Sequence, residues 1–78
     1  MRREIAAFDK KTEVLNFYIK ITIPDEILFE YFKEYVKDDP LLIYEYEISK
    51  KDSLFFKKHM SIDFDFDKND YFLSCTES

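Results

Sequence analysis

Leu15-Asn16-Phe17-Tyr18-Ile19-Lys20-Ile21-Thr22-Ile23 alternates in character, and Pro24-Asp25-Glu26 then changes the period. Leu15, Phe17, Ile19, Ile21 and Ile23 fall on one face of an extended chain, with Asn16, Tyr18, Lys20 and Thr22 on the other. Period two over this length predicts a strand with one buried face. Proline suits a helix start, and acids suit its positive end. Ile27, Leu28, Tyr31, Phe32, Tyr35 and Val36 then recur every three or four residues, which predicts an amphipathic helix lying on a sheet. Asp38-Asp39-Pro40 stops it, because the residue before proline disfavours the helical region.

Outward from this stretch the same reasoning places the other elements. Ile5–Phe8 is a short apolar run, and Asp9-Lys10-Lys11-Thr12-Glu13 is a polar connection, so a hairpin opens the chain. Leu42, Tyr44, Tyr46 and Ile48 alternate with Ile43, Glu45 and Glu47 and predict a third strand. Ser49-Lys50-Lys51-Asp52-Ser53 offers caps for a short helix running to about Met60, with Lys57, Lys58 and His59 near its negative end. Ile62, Phe64 and Phe66 alternate with Asp63, Asp65 and Asp67, which predicts a fourth strand, and Tyr71–Cys75 predicts a fifth after the turn at 67–70. The expectation is an α+β fold: one small domain over residues 1–78, a mainly antiparallel four- to five-stranded sheet in the order β-β-α-β-α-β-β, and two helices packed on it.

A chain of 78 residues buries a thin core, and nine Phe and six Tyr supply bulk for it. There is no glycine, which excludes a glycine-rich phosphate loop and a GxGxxG turn. The single cysteine, Cys75, excludes an internal disulfide, and with the single histidine, His59, it leaves no Cys/His metal cluster; without glycine there is no nucleophile elbow either. Asp63-Phe64-Asp65-Phe66-Asp67 resembles the start of a calcium loop, but the sixth and twelfth positions hold Lys68 and Ser74 instead of glycine and a bidentate acid. The reading is therefore a protein that is not an enzyme and needs no cofactor or metal. A small metal-binding or hydrolytic protein stands as a remote alternative. No apolar run approaches a membrane span, and Met1-Arg2-Arg3-Glu4 does not open a secretory signal, so the expected compartment is the cytoplasm.

The net charge is −5, and all of it lies in residues 38–78, since residues 1–37 hold seven acids and seven bases. Such a surface repels nucleic acid and anionic membrane and attracts a basic protein. On strands, Asp63, Asp65 and Asp67 share one face, and Glu45 and Glu47 share another. With Asp70, Asp38 and Asp39 they form the expected partner-binding set, a single acidic stripe if the strands are neighbours. The alternative is a solvated outer face that serves solubility alone. Tyr44, Tyr46 and Tyr71 are either interface rings or core packing with the hydroxyl at the edge. The oligomeric state and the strand order are open.

Three segments carry a resemblance. They are Ala6-Ala7-Phe8-Asp9-Lys10-Lys11-Thr12-Glu13, Asp38-Asp39-Pro40 leading into Ile43-Tyr44-Glu45-Tyr46-Glu47-Ile48, and Phe64-Asp65-Phe66-Asp67-Lys68-Asn69-Asp70-Tyr71-Phe72-Leu73. In this order they resemble a family of small acidic bacterial immunity proteins found beside polymorphic toxins, including those of contact-dependent growth inhibition systems. A second, shorter similarity links Phe8–Glu13 and Asn69–Ser74 to the immunity proteins of ribosome-cleaving colicins and cloacin. The resemblance implies binding and neutralisation of a cognate toxin C-terminal domain, with a nuclease, and an RNase in particular, favoured. It assigns no residue, because immunity interfaces differ from pair to pair. The alternative from a different class is an acidic adaptor or regulatory subunit with no toxin partner.

Overall fold

The computed structural model describes residues 2–76. Strand β1 (Arg2–Asp9) turns into β2 (Leu15–Lys20); helices α1 (Asp25–Tyr31) and α2 (Lys33–Val36) follow, then β3 (Tyr46–Ile48), α3 (Lys50–His59) and β4 (Asn69–Thr76). The four strands form one antiparallel sheet in the order β2-β1-β4-β3. This is the α+β architecture that the periodicities predict, with the chain's last strand inserted at the centre.

The hairpin joining β1 and β2 is built without glycine. Asp9 accepts from the backbone N–H groups of Lys11 and Thr12 at 2.8 and 3.0 Å, which folds the turn around its carboxylate. Glu13 then takes a left-handed conformation at φ 60°, a position that costs a side-chain-bearing residue about 1–2 kcal/mol. Strand β2 ends at Lys20, although the Ile21 N–H still donates to the Arg3 carbonyl, and Ile21 and Ile23 stay buried and carry the alternation on towards Pro24.

All three helices pack on one face of the sheet. Ile5 and Ala7 of β1, Tyr71 and Leu73 of β4 and Ile48 of β3 meet Leu28 of α1, Phe56 of α3 and Phe32 at the α1–α2 junction, with Leu42 and Ile62 from the connections. Each fully buried large apolar side chain contributes about 1.5–3 kcal/mol. The helix expected to continue from 25 to 37 bends at Phe32 (φ −98°, ψ 29°), and so divides into α1 and α2. The bend coincides with the most crowded ring of the core: Phe32 meets Tyr31, Tyr35, Phe55 and Phe56. Helix α3 begins with a full capping box. Ser49 Oγ accepts from the Asp52 N–H, and the Asp52 carboxylate accepts from the Ser49 N–H, both at 3.1 Å.

Two expected strands come out differently. The third shrinks to Tyr46–Ile48, because residues 39–44 are held by a buried charge rather than by a neighbouring strand. Asp39 accepts from the Tyr44 N–H at 2.9 Å and from the Tyr46 hydroxyl at 3.0 Å, while Arg3 donates to the carbonyls of Leu41 and Leu42 at 2.8 and 2.6 Å. The segment 62–66 is not a strand. Ile62, Phe64 and Phe66 do turn inward against the core, but the backbone is spent on a turn. The Asp65 N–H donates to the Tyr71 hydroxyl at 2.8 Å, and the Asp65 carbonyl accepts from Lys68 and Asn69.

Candidate functional site

With the helices on one side, the other face of the sheet has no helix over it among the described residues. The register sets its composition. Tyr18, Ala6, Phe72 and Glu47 form one row across all four strands, Lys20, Glu4 and Ser74 form a second, and Phe8 stands beside Asp70 in a third. Small Ala6 between two aromatic neighbours is buried, and the rings of Phe8 and Phe72 meet edge to face at 5.7 Å.

At one end of this face lies a groove of about 250 Å³, lined by Phe8, Asp9, Glu13, Glu45, Asp70 and Phe72. Two phenyl rings and four carboxylates bound it. The hairpin supplies Asp9 and Glu13, the segment before β3 supplies Glu45, and β4 supplies Asp70 and Phe72. Lys10 approaches from within the chain, its Nζ 3.7 Å from Asp70 with both side chains partly exposed. The backbone N–H groups of Thr12 and Lys11 hold the Asp9 carboxyl below the usual carboxylate range, so it stays charged in mild acid. An aromatic floor inside an acidic rim suits a lysine or arginine side chain: the ring faces attract the cation and the carboxylates pair with it.

The expected acidic set divides. Glu45 and Asp70 enter the groove, and Glu47 stands beside Phe72 on the same face. Asp65 and Asp67 are exposed on the turn before β4, but they share a depression with Asp9, Lys10, Lys11 and Lys68, so lysines offset them. Asp65 also holds its own turn, accepting weakly from the N–H groups of Asp67 and Lys68 at 3.2 and 3.3 Å. Asp63 faces elsewhere, beside Lys57 and Met60. A stripe through Asp63, Asp65 and Asp67 therefore does not form, because the backbone carrying them is a turn and not a strand. Asp38 is exposed just past α2. Among the described residues no three acidic, His or Cys side chains gather where a metal ion would fit.

Asp39 is a correction to the expected set. It is buried, and its carboxylate is committed to the chain's own backbone, so it offers nothing to a partner. Burial alone would push its carboxyl up. The N–H groups of Tyr44 and Ile43, the Tyr46 hydroxyl and the Arg3 guanidinium outweigh that and hold it below the ordinary carboxylate range. A lowered folded value means that this stability is present above the unfolded carboxylate value, about 3.9, and is lost as pH falls through the folded one. Asp39→Asn is therefore expected to be less stable than the natural chain at pH 6. That gap should narrow steadily towards pH 3 in urea titrations; a gap independent of pH would contradict the assignment.

Asp9, Glu13, Phe8 and Phe72 were not singled out by the sequence as site residues. Asp9 and Glu13 read as turn chemistry, and Asp9 is also that. Phe8 and Phe72 read as strand apolars, and nothing in the alternation tells which face the helices will leave open. Of the tyrosines, Tyr71 is core, Tyr46 is half-buried and stacks on Tyr35 at 4.0 Å, and Tyr44 is mostly exposed. No helix among the described residues is long and apolar enough to cross a membrane.

No curated protein and no solved structure matches the chain. A family model described as a domain of unknown function, DUF7683, matches residues 2–74, which is nearly its whole length. The fold described above is thus that of a member, and the chain belongs to the DUF7683 family.

Proposed function

We propose that this chain is an immunity-type inhibitor that binds a basic toxin domain, a nuclease by preference, through the open face of its sheet. The observation that carries the reading is the groove at Phe8 and Phe72 with its rim of Asp9, Glu13, Glu45 and Asp70. A nuclease must present cations to phosphates, and a carboxylate-rimmed surface competes for those cations. Rings in the middle of the face supply apolar area for a tight complex, and the surrounding acids steer encounter. The resemblance of three sequence segments to immunity proteins supplies the biological setting. Compartment follows from the role: a toxin with a cytoplasmic target is met in the cytoplasm.

The test pairs the chain with the C-terminal domain encoded by the gene immediately upstream. Glu45 and Glu47 are exposed, and among the described residues their side chains enter no hydrogen bond or ion pair, so Glu45→Lys with Glu47→Lys should fold normally. The double variant is expected to weaken binding about tenfold or more at low salt, mainly through slower association. High salt should shrink the difference. Cells producing the toxin domain should be rescued by the natural chain and poorly by the variant. Equal binding and equal rescue by the folded variant would contradict the reading, and a complex with a basic protein that is not toxic would favour an adaptor.

A further inference from the structure

The edge strand β2 is separate from the groove and has its own open backbone. Among the described residues it pairs with β1 alone. The Ile21 N–H donates to the Arg3 carbonyl at 3.0 Å. Antiparallel pairing alternates the direction of backbone groups, so those of Ile19 and Phe17 also turn towards β1, and those of Tyr18 and Lys20 turn outward. Around them Val14, Phe17 and Tyr18 are 60%, 39% and 55% exposed. Natural edges are guarded by charge, proline or short length. This one has a single lysine, no proline and six residues. The opposite edge, β3, has three residues and carries Glu47, two positions after the exposed Glu45.

We infer that β2 is a self-association edge, on which a second copy of this chain pairs its own β2 antiparallel about a two-fold axis at Tyr18. The two sheets then become one of eight strands with all helices on the same side. Charge selects this occupant. Residues 14–23 carry one charge, Lys20, and the whole acidic excess of the chain lies in residues 38–78, so two β2 edges meet without bringing like charges together. Centring on Tyr18 sets Phe17 against Ile19 of the second copy and Asn16 against Lys20. Apolar side chains then meet apolar, and polar meet polar. Centring on Lys20 would oppose two cations, and centring on Asn16 would use the residue where the β1–β2 register shifts.

Sedimentation equilibrium from low micromolar to near-millimolar concentration tests the inference. The natural chain should double its mass across that range. Tyr18→Pro removes an N–H that points away from β1 and should leave a folded monomer, and Tyr18→Glu, which would set two carboxylates together at the axis, should do the same. A third readout needs no variant: amide exchange at Tyr18 and Lys20 should slow as concentration rises. A chain that stays monomeric throughout, folded variants that dimerise like the natural chain, or exchange at Tyr18 and Lys20 that ignores concentration would each overturn it. Toxin capture through the groove is a separate property, and its failure would leave these outcomes unchanged.

Discussion

Arg3→Met is expected to destabilise the fold by roughly 2–4 kcal/mol, a large part of what a domain of this size possesses. Arg3 is buried on β1, and its guanidinium does three jobs. Nη1 and Nη2 donate to the carbonyls of Leu42 and Leu41, Nε lies 3.3 Å from Asp25, and the cation sits 5.1 Å from the centre of the Phe29 ring. The two carbonyl bonds matter most. They fix a connection in which Leu42 is buried at a left-handed φ of 52°, a conformation that a leucine does not adopt without constraint. Methionine replaces the apolar stem and leaves those carbonyls unpaired. The ion pair matters less, because the Asp25 side chain is 66% exposed and solvent screens it. Asp25→Ala should therefore cost well under about 1 kcal/mol. Chemical denaturation of both variants decides the point. Equal losses would show that the ion pair, and not the carbonyl clasp, holds the connection.

Tyr71→Ala is expected to cost about 3–5 kcal/mol, and Tyr71→Phe about 1–2 kcal/mol. Tyr71 is the hub between the central strand and the segment before it. Its ring meets Phe64 at 4.8 Å and Phe66 at 5.3 Å, and those two stack on each other at 5.5 Å. Its hydroxyl accepts from the Asp65 N–H at 2.8 Å. Phenylalanine keeps the ring contacts and leaves the Asp65 N–H, and the buried Asn69 amide that also donates to this hydroxyl at 3.4 Å, without that acceptor, so its effect should be local to the turn at 65–69. Amide exchange should rise around Asp65 and little elsewhere. Alanine should lower global stability as well. A Tyr71→Phe variant with unchanged exchange at Asp65 would show that this hydrogen bond does not hold the turn.

These two residues also mark where sequence reading stops. The hairpin, the amphipathic run after Pro24 and the capped helix at Ser49 are local, and spacing and caps expose them. The exact length of the third strand is not local. It depends on Asp39 and Arg3, which are far apart in sequence and act on the same connection only in the folded chain. The segment 62–66 carries the alternation of a strand because its apolar side chains do face the core. Alternation reports the direction of side chains, and it cannot report whether the backbone finds a ladder; here the Tyr71 hydroxyl and the turn take those groups. The site was legible in part for the same reason. Glu45 and Glu47 were visible as acids on a strand, and Asp70 as an acid in the turn before the last strand. Their meeting with Asp9, Glu13, Phe8 and Phe72 required β4 to lie between β1 and β3, and no local signal gives that order.

The open face is the central claim, and backbone amide shift mapping tests it most directly. The isotope-labelled chain would be titrated with the C-terminal domain encoded immediately upstream, in a catalytically disabled form. The account predicts that the largest shifts fall on Phe8, Glu13, Glu45, Glu47, Asp70 and Phe72, with the helical face little changed. Shifts concentrated on α3 around Leu54 and Lys57, with the open face of the sheet unmoved, would contradict it.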